Sequence, residues 1–218
     1  MKVLVTGVGG QLGYDVCKEL DRLGIENKGV DVQDFDLTDG AAVMAAVQAY
    51  MPDAIIHCAA YTNVEKAESV PEVCADVNGM GTLNMVRAAL AVNAKLMYIS
   101  TDYVFEGTGD TPYEVNAPHR PQSVYGLTKD QGEEAVISLM QRYFIVRISW
   151  VFGVHGNNFV RTMLRLGSER KELNVVDDQI GSPTYTADLA VLLCSMIRTD
   201  KDGAYHATNE VYCSWAEF

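Results

Sequence analysis

The sequence predicts an α/β fold: a doubly wound parallel sheet of Rossmann type with a small C-terminal substrate-binding subdomain. Three observations lead there. Short runs rich in apolar and β-branched residues alternate with longer amphipathic stretches, the pattern of a parallel sheet covered by helices. The first run ends in a glycine-rich turn, Gly7-Val8-Gly9-Gly10-Gln11-Leu12-Gly13, that leads directly into a helical stretch. The segment Ala54-Ile55-Ile56-His57-Cys58-Ala59-Ala60 is apolar on both faces apart from one His, which suits a central strand buried on both sides.

In chain order, strands are expected near Lys2–Thr6, Lys28–Val32, Ala54–Cys58, Leu96–Ser100 and Phe144–Ile148. Helices fall between them, over Gln11–Leu23, Gly40–Tyr50, Pro71–Val92 and Val124–Arg142. From Gly153 the character changes to a helix near Asn158–Ser168, a short strand Leu173–Val176, a loop Asp177–Thr184 and a helix near Ala187–Arg198. Residues 1–152 are therefore expected to form the dinucleotide-binding domain, and residues 153–218 an incomplete part of the substrate-binding subdomain. The last residues, Ser214-Trp215-Ala216-Glu217-Phe218, read as the first turn of a helix with Ser214 as N-cap, so the chain is expected to continue past them.

Composition narrows the function classes. A net charge of −12 argues against nonspecific contact with nucleic acid or an anionic membrane, which needs clustered Lys and Arg. No apolar run reaches the roughly 18–20 residues that span a bilayer. The opening Met1–Thr6 run meets Gly7 too early for a signal peptide and reads as a first core strand. Five cysteines without a C-x-x-C spacing fit reduced thiols and a cytoplasmic protein. His57, His119, His155 and His206 lack an i, i+4 pair or a Cys partner, so no metal site is expected. No G-x-S-x-G elbow surrounds Ser149 or Ser182, and Glu133 with Glu134 reads as a solvated helix face.

The chemistry concentrates in two places. Gly7, Gly10 and Gly13 let the backbone turn sharply and approach a pyrophosphate at the positive end of the following helix. Asp31, closing the second strand, can accept hydrogen bonds from ribose hydroxyls and so favours NAD over NADP, unless it belongs to an acidic surface with Asp34, Asp36 and Asp39. Asp36 and Leu37 are placed to flank the adenine, and Ala59-Ala60-Tyr61 supplies small residues where a dinucleotide would cross the sheet edge. The second place is Tyr125-Gly126-Leu127-Thr128-Lys129, which puts a phenol and an ammonium on one helix face. A cation near a phenol stabilises the phenolate and brings its proton into range for transfer to a carbonyl. Thr101, at the carboxyl end of the fourth strand, is placed to hydrogen-bond such a carbonyl.

Together with Ser100-Thr101-Asp102-Tyr103-Val104-Phe105, Arg147-x-Ser149-Trp150-Val151 and Asp178-Gln179-x-Gly181-x-Pro183-Thr184, these motifs make the whole chain resemble the dTDP-4-dehydrorhamnose reductase family of extended short-chain dehydrogenases. The resemblance implies hydride transfer from NADPH or NADH to C4 of a dTDP-bound 4-keto-6-deoxyhexose. By it, Tyr125 delivers the proton, Lys129 binds the nicotinamide ribose and lowers the Tyr pKa, and Thr101 orients the carbonyl. Asp102 and Trp150 match substrate contacts, while Gly10-Gln11-Leu12, Asp31, Asp36-Leu37, Ala59-Ala60-Tyr61 and Ile99 match cofactor contacts. The family commonly uses NADPH despite an acidic residue at the Asp31 position, so the cofactor choice stays open, as does a homodimer. Two alternatives remain on the same fold: a noncatalytic regulatory subunit of methionine adenosyltransferase type, and a sugar-nucleotide epimerase or dehydratase.

Overall fold

A computed structural model describes residues 1–218. The first five strands are β1 (Lys2–Thr6), β2 (Glu26–Val30), β3 (Ala54–His57), β4 (Lys95–Thr101) and β5 (Tyr143–Ile148). Five more follow: β6 (Val151–Phe152), β7 (Ile180–Gly181), β8 (Thr184–Tyr185), β9 (Gly203–His206) and β10 (Cys213–Ser214). Six of them form one all-parallel sheet in the order β2-β1-β3-β4-β5-β9. The chain steps outward from β1 to β2 and then returns to the other side of β1 at β3. Ligands of such sheets bind outside the carboxyl ends of the strands at this reversal. The doubly wound parallel sheet expected from the sequence is what the protein forms.

Helices cover both faces. They are α1 (Gln11–Arg22), α2 (Gly40–Tyr50), α3 (Val64–Ala67), α4 (Pro71–Ala75), α5 (Gly81–Ala91), α6 (Val124–Leu139), α7 (Phe159–Glu169) and α8 (Thr186–Met196). Because strand side chains alternate, Val3 and Val5 meet one layer and Leu4 the other. On the first face Val16 and Leu20 of α1 and Leu189 and Leu193 of α8 pack on Ile56, Met97 and Val146. On the second, Val43 and Val47 of α2, Met85 and Val86 of α5 and Val136 of α6 pack on Ile55, Leu96 and Tyr98. Residues beyond 152 serve both this sheet, through α8 and β9, and two small ribbons, β6 with β8 and β10 with β7.

β9, the sixth strand of the main sheet, falls where the sequence suggested only the subdomain, and further elements differ from expectation. β2 lies two residues earlier than Lys28–Val32 because it is an edge strand in which only Val30 is buried, so its apolar signal is weak. The run Leu173–Val176 forms no strand; its one backbone link to the distant chain is Ala216 N to Val176 O at 3.1 Å, and the ribbon forms at Ile180–Gly181 instead. The helix over 71–91 is continuous but passes through a π turn, Asp76–Met80. Ser214, expected to cap a helix, instead ends β10 and a turn follows it; its hydroxyl accepts from Glu217 N at 3.2 Å and the Glu217 carboxylate accepts from Ser214 N at 2.8 Å, the exchange of a capping box without the helix.

Candidate active site

A cavity of about 930 Å³ opens at the reversal between β1 and β3. Gly7, Gly10, Gln11, Leu12 and Gly13 form its floor, Asp31, Asp36 and Leu37 one end, and Ala59, Ala60 and Ile99 the middle. Thr101, Asp102, Tyr125, Lys129 and Trp150 line it as well. Of the expected residues only Tyr61 is not in the wall. Its backbone is held by Asn78, with Tyr61 N donating to Oδ1 at 2.8 Å and Asn78 Nδ2 donating to Tyr61 O at 3.1 Å. Its hydroxyl is buried without a hydrogen-bond partner.

The floor suits a dinucleotide. Gly7 has φ +71, and a Cβ there would lie 2.7 Å from Ala59 N, so no other residue allows β1 to turn this close to β3. α1 starts at Gly10 with no side-chain cap and no acidic residue in its first turn, which leaves its N–H groups for an anion such as pyrophosphate. Asp31 Oδ2 accepts from Gly9 N at 2.6 Å and Oδ1 from Val32 N at 2.8 Å, so this carboxylate also braces the loop.

The titratable groups are set by α6. Ser123 caps it, accepting from Gly126 N at 3.0 Å, and Gly126 packs on the Tyr103 carbonyl so closely that a Cβ would reach 2.2 Å from it. That contact brings Tyr125 against the end of β4. The Lys129 ammonium is buried, donates to Ile99 O at 2.7 Å and lies 4.1 Å from the Tyr98 ring centre. Desolvation lowers its pKa to about 7, opposed chiefly by the Glu133 carboxylate. Burial pushes the Tyr125 phenol up, and the neighbouring Thr101 hydroxyl pulls the other way. Lys129, expected to lower this pKa, is turned instead onto the Ile99 carbonyl. Burial also raises the Asp102 carboxyl to about 6, although it accepts from Thr101 Oγ1 at 2.9 Å.

A stability prediction follows from Lys129. Between about pH 7 and 10.5 the unfolded chain binds a proton that the folded one does not, so this group makes stability rise with pH across that window and penalises the fold most below it. Each pKa unit is about 1.4 kcal/mol, and 1 kcal/mol is about 2–4 °C in a chain of this size. Lys129→Met should therefore raise Tm by several degrees at pH 6 and flatten its rise with pH. Thermal melts across this range check it; a lower Tm at pH 6 would show that the ammonium supports the fold.

Sequence reasoning missed a buried network beside this group. Glu133, expected on a solvated face, is 0% exposed. Arg147 Nε donates to its two oxygens at 2.9 and 3.2 Å, Arg147 Nη2 to Oε2 at 2.6 Å, and Ser100 Oγ to Oε1 at 2.5 Å. Arg147 also reaches Val115 O at 2.8 Å and His119 Nε2 at 2.8 Å, while His119 Nδ1 meets Asp130 Oδ1 at 2.5 Å. His119, Asp130 and Glu133 have the spacing of a metal site. The guanidinium already stands against Glu133 and His119 Nε2, and His119 Nδ1 against Asp130, so the chemistry of this donor set is that of an ion-pair network. A period-four reading of α6 would have found Glu133, one turn past Lys129; its partner on β5 is visible only in three dimensions.

On the opposite wall Trp150 adopts φ +46, a left-handed conformation that a bulky residue keeps only when its surroundings enforce it. Its ring stacks on Trp215 with centroids 3.6 Å apart and planes 13° from parallel. A Cβ on Gly181 would lie 2.4 Å from that ring, so the glycine makes room for it. Trp215, also in the cavity wall, is a second residue that no local signal marks. Gln11 ties the two walls together: its Oε1 accepts from Asn158 Nδ2 at 3.0 Å, at the start of α7.

Comparison with known proteins places the whole chain. A dTDP-4-dehydrorhamnose reductase from Streptomyces griseus is 43% identical over 218 residues, covering 97% of this chain and 72% of the relative. The spore coat polysaccharide biosynthesis protein SpsK of Bacillus subtilis (strain 168) is 40% identical over 217 residues, covering 100% of this chain and 76% of that protein. A crystal structure of dTDP-4-dehydrorhamnose reductase from Bacillus anthracis str. Ames in complex with NADP matches with a TM-score of 0.96 at 45% identity, over 99% of this chain and 77% of that one. The family model for the RmlD substrate binding domain matches residues 1–218, end to end, and the chain belongs to that family.

Proposed function

We propose that this chain is an NAD(P)H-dependent reductase acting on the C4 ketone of a dTDP-4-keto-6-deoxyhexose, taking dTDP-4-dehydrorhamnose to dTDP-L-rhamnose. The observation that carries the reading is the position of Tyr125, Lys129 and Thr101 in one cavity with the uncapped glycine turn. Relatives that bear this reductase name match nearly all of the chain. The dinucleotide supplies the hydride. Tyr125 holds the proton that the C4 oxygen takes up, and its burial keeps that proton on the phenol at neutral pH. Thr101 orients the ketone, and Lys129 holds the cofactor ribose as a cation. Gly7, Gly10, Gln11, Leu12 and Gly13 seat the pyrophosphate, Asp31, Asp36 and Leu37 the adenosine, and Ala59, Ala60 and Ile99 the crossing between them, while Tyr61, expected there from the sequence, stands outside the cavity wall. Asp102 and Trp150 contact the sugar nucleotide.

In this reading residues 1–152, backed by α8 and β9 on the main sheet, supply the dinucleotide site and the rest of residues 153–218 the sugar-nucleotide side, in a cytoplasmic protein whose assembly to be tested is a homodimer. No helix is long and apolar enough to cross a membrane. The test is to mix the protein with dTDP-4-dehydrorhamnose and NADPH or NADH and follow loss of reduced-nicotinamide absorbance; no loss with either would sink the assignment.

Asp31 discriminates between the two dinucleotides. Asp31→Ala should weaken NADH more than NADPH, because it removes a ribose acceptor together with a charge that repels a 2′-phosphate. Titrating both cofactors against both proteins checks this. Equal losses would assign Asp31 to bracing the loop at Gly9 alone.

A further inference from the structure

We propose that Glu133 is a positioning residue for the reduction: anchored by Arg147, its carboxylate keeps the Lys129 ammonium charged inside the fold. The inference deepens the functional reading above and rests on its placement of Lys129 at the cofactor. Tyr125, Lys129 and Glu133 recur every four residues along α6 and so share one stripe of it. Lys129 is 2% exposed, and the one hydrogen bond of its ammonium is to the neutral Ile99 carbonyl. A buried ammonium held by one carbonyl and a ring face tends to lose its proton unless a negative charge stands near. Cys58, Cys74 and Glu133 act on it in that direction, and Glu133 is the one carboxylate among them. Buried His57 is held neutral on the far side, partly by Lys129 itself.

Glu133 is fixed where it stands by everything packed around it. Arg147 on β5 grips both of its oxygens, and Ser100 on β4 donates to one. His119, from the segment before α6, bridges Arg147 to Asp130 on the helix itself. His206 on β9 and Glu114 complete the charged neighbourhood. Glu133 stands one helical turn from Lys129 on α6, whereas Arg147 reaches the carboxylate from β5. Ser100 lies between Ile99, which receives the ammonium, and Thr101, which lines the cavity. The network therefore clamps the end of β4 to α6 just where Lys129 crosses between them.

The experiment measures kcat and, by calorimetry, the Kd for NADPH and NADH as functions of pH between about 6 and 9. It compares wild type with Glu133→Gln, Glu133→Asp and the double variant Glu133→Gln with Arg147→Met, which leaves no lone guanidinium in the interior. Loss of the carboxylate should move the alkaline limb of both profiles about one pH unit lower, the usual effect of one nearby charge. Glu133→Asp, which keeps the charge, should hold the limb in place. A limb unmoved in folded Glu133→Gln or in the double variant overturns the proposal, as does an equal shift in Glu133→Asp. A double variant that fails to fold assigns the pair to the fold alone and overturns it too. A wild-type chain that binds dinucleotide but leaves the sugar unreduced sinks the substrate assignment, while the pH dependence of Kd still decides the role of Glu133.

Discussion

Tyr125→Phe should lower kcat by about 10²–10⁴ while leaving dinucleotide affinity nearly unchanged. The substitution removes one oxygen and its proton and keeps the ring, which packs edge-on against Tyr103 at a centroid separation of 5.5 Å. Burial raises the phenol's pKa, so the group is a full proton carrier at neutral pH. Reduction of a ketone needs a proton in that place, because negative charge develops on the oxygen as hydride arrives. Steady-state rates combined with calorimetric Kd values separate chemistry from binding. Wild-type turnover by the variant, with chemistry rate-limiting, would remove Tyr125 from the mechanism and favour the noncatalytic reading of the fold.

Gly13→Ala should abolish dinucleotide binding, with at least a hundredfold loss of affinity, and destabilise the fold by about 1–3 kcal/mol. Its new Cβ would stand 2.3 Å from Gly7 O, 2.8 Å from Gly7 C and 3.0 Å from Val8 Cα. All three are backbone atoms of the turn, and Gly7 is itself pressed against Ala59, so relief can come only by lifting the turn off α1. That movement destroys the alignment of the helix N–H groups with a pyrophosphate. Gly24→Ala is the control: φ is +66 but its Cβ meets nothing within 4 Å, so it should cost about 1 kcal/mol and leave affinity intact. Melting curves and calorimetric titrations of the two variants distinguish local clash from general backbone strain. Full affinity in Gly13→Ala would show that the turn does not seat the cofactor.

What was legible in the sequence is what local chemistry dictates. β1, the glycine turn and α2 fall where expected because apolar periodicity and Asp39, which caps α2 by accepting from Ala41 N and Ala42 N, are both encoded nearby. The stripe of Tyr125 and Lys129 follows from helix geometry alone. β2 was displaced because an edge strand buries too little to announce itself, and Leu173–Val176 had the composition of a strand without a neighbour to pair with. The wall at Trp150 and Trp215 joins segments far apart in the chain, and the grip of Arg147 on Glu133 joins a strand to the helix before it, a contact that no local pattern encodes. The expected effect of Lys129 on Tyr125 was wrong in direction of contact, since a side chain's reach does not say which of two acceptors it chooses.

The chain contains only two tryptophans, and they are the stacked pair in the cavity wall. Its entire indole emission therefore arises from one spot, with no background from the rest of the fold. Rings this close and this nearly parallel quench and couple to one another, so a ligand that wedges between them or tilts one alters the whole signal rather than a fraction of it. Reduced nicotinamide absorbs where indoles emit, so a cofactor seated in the same cavity quenches the same light. The protein thus carries its own optical probe, able to register the binding of either ligand, added alone, without a label.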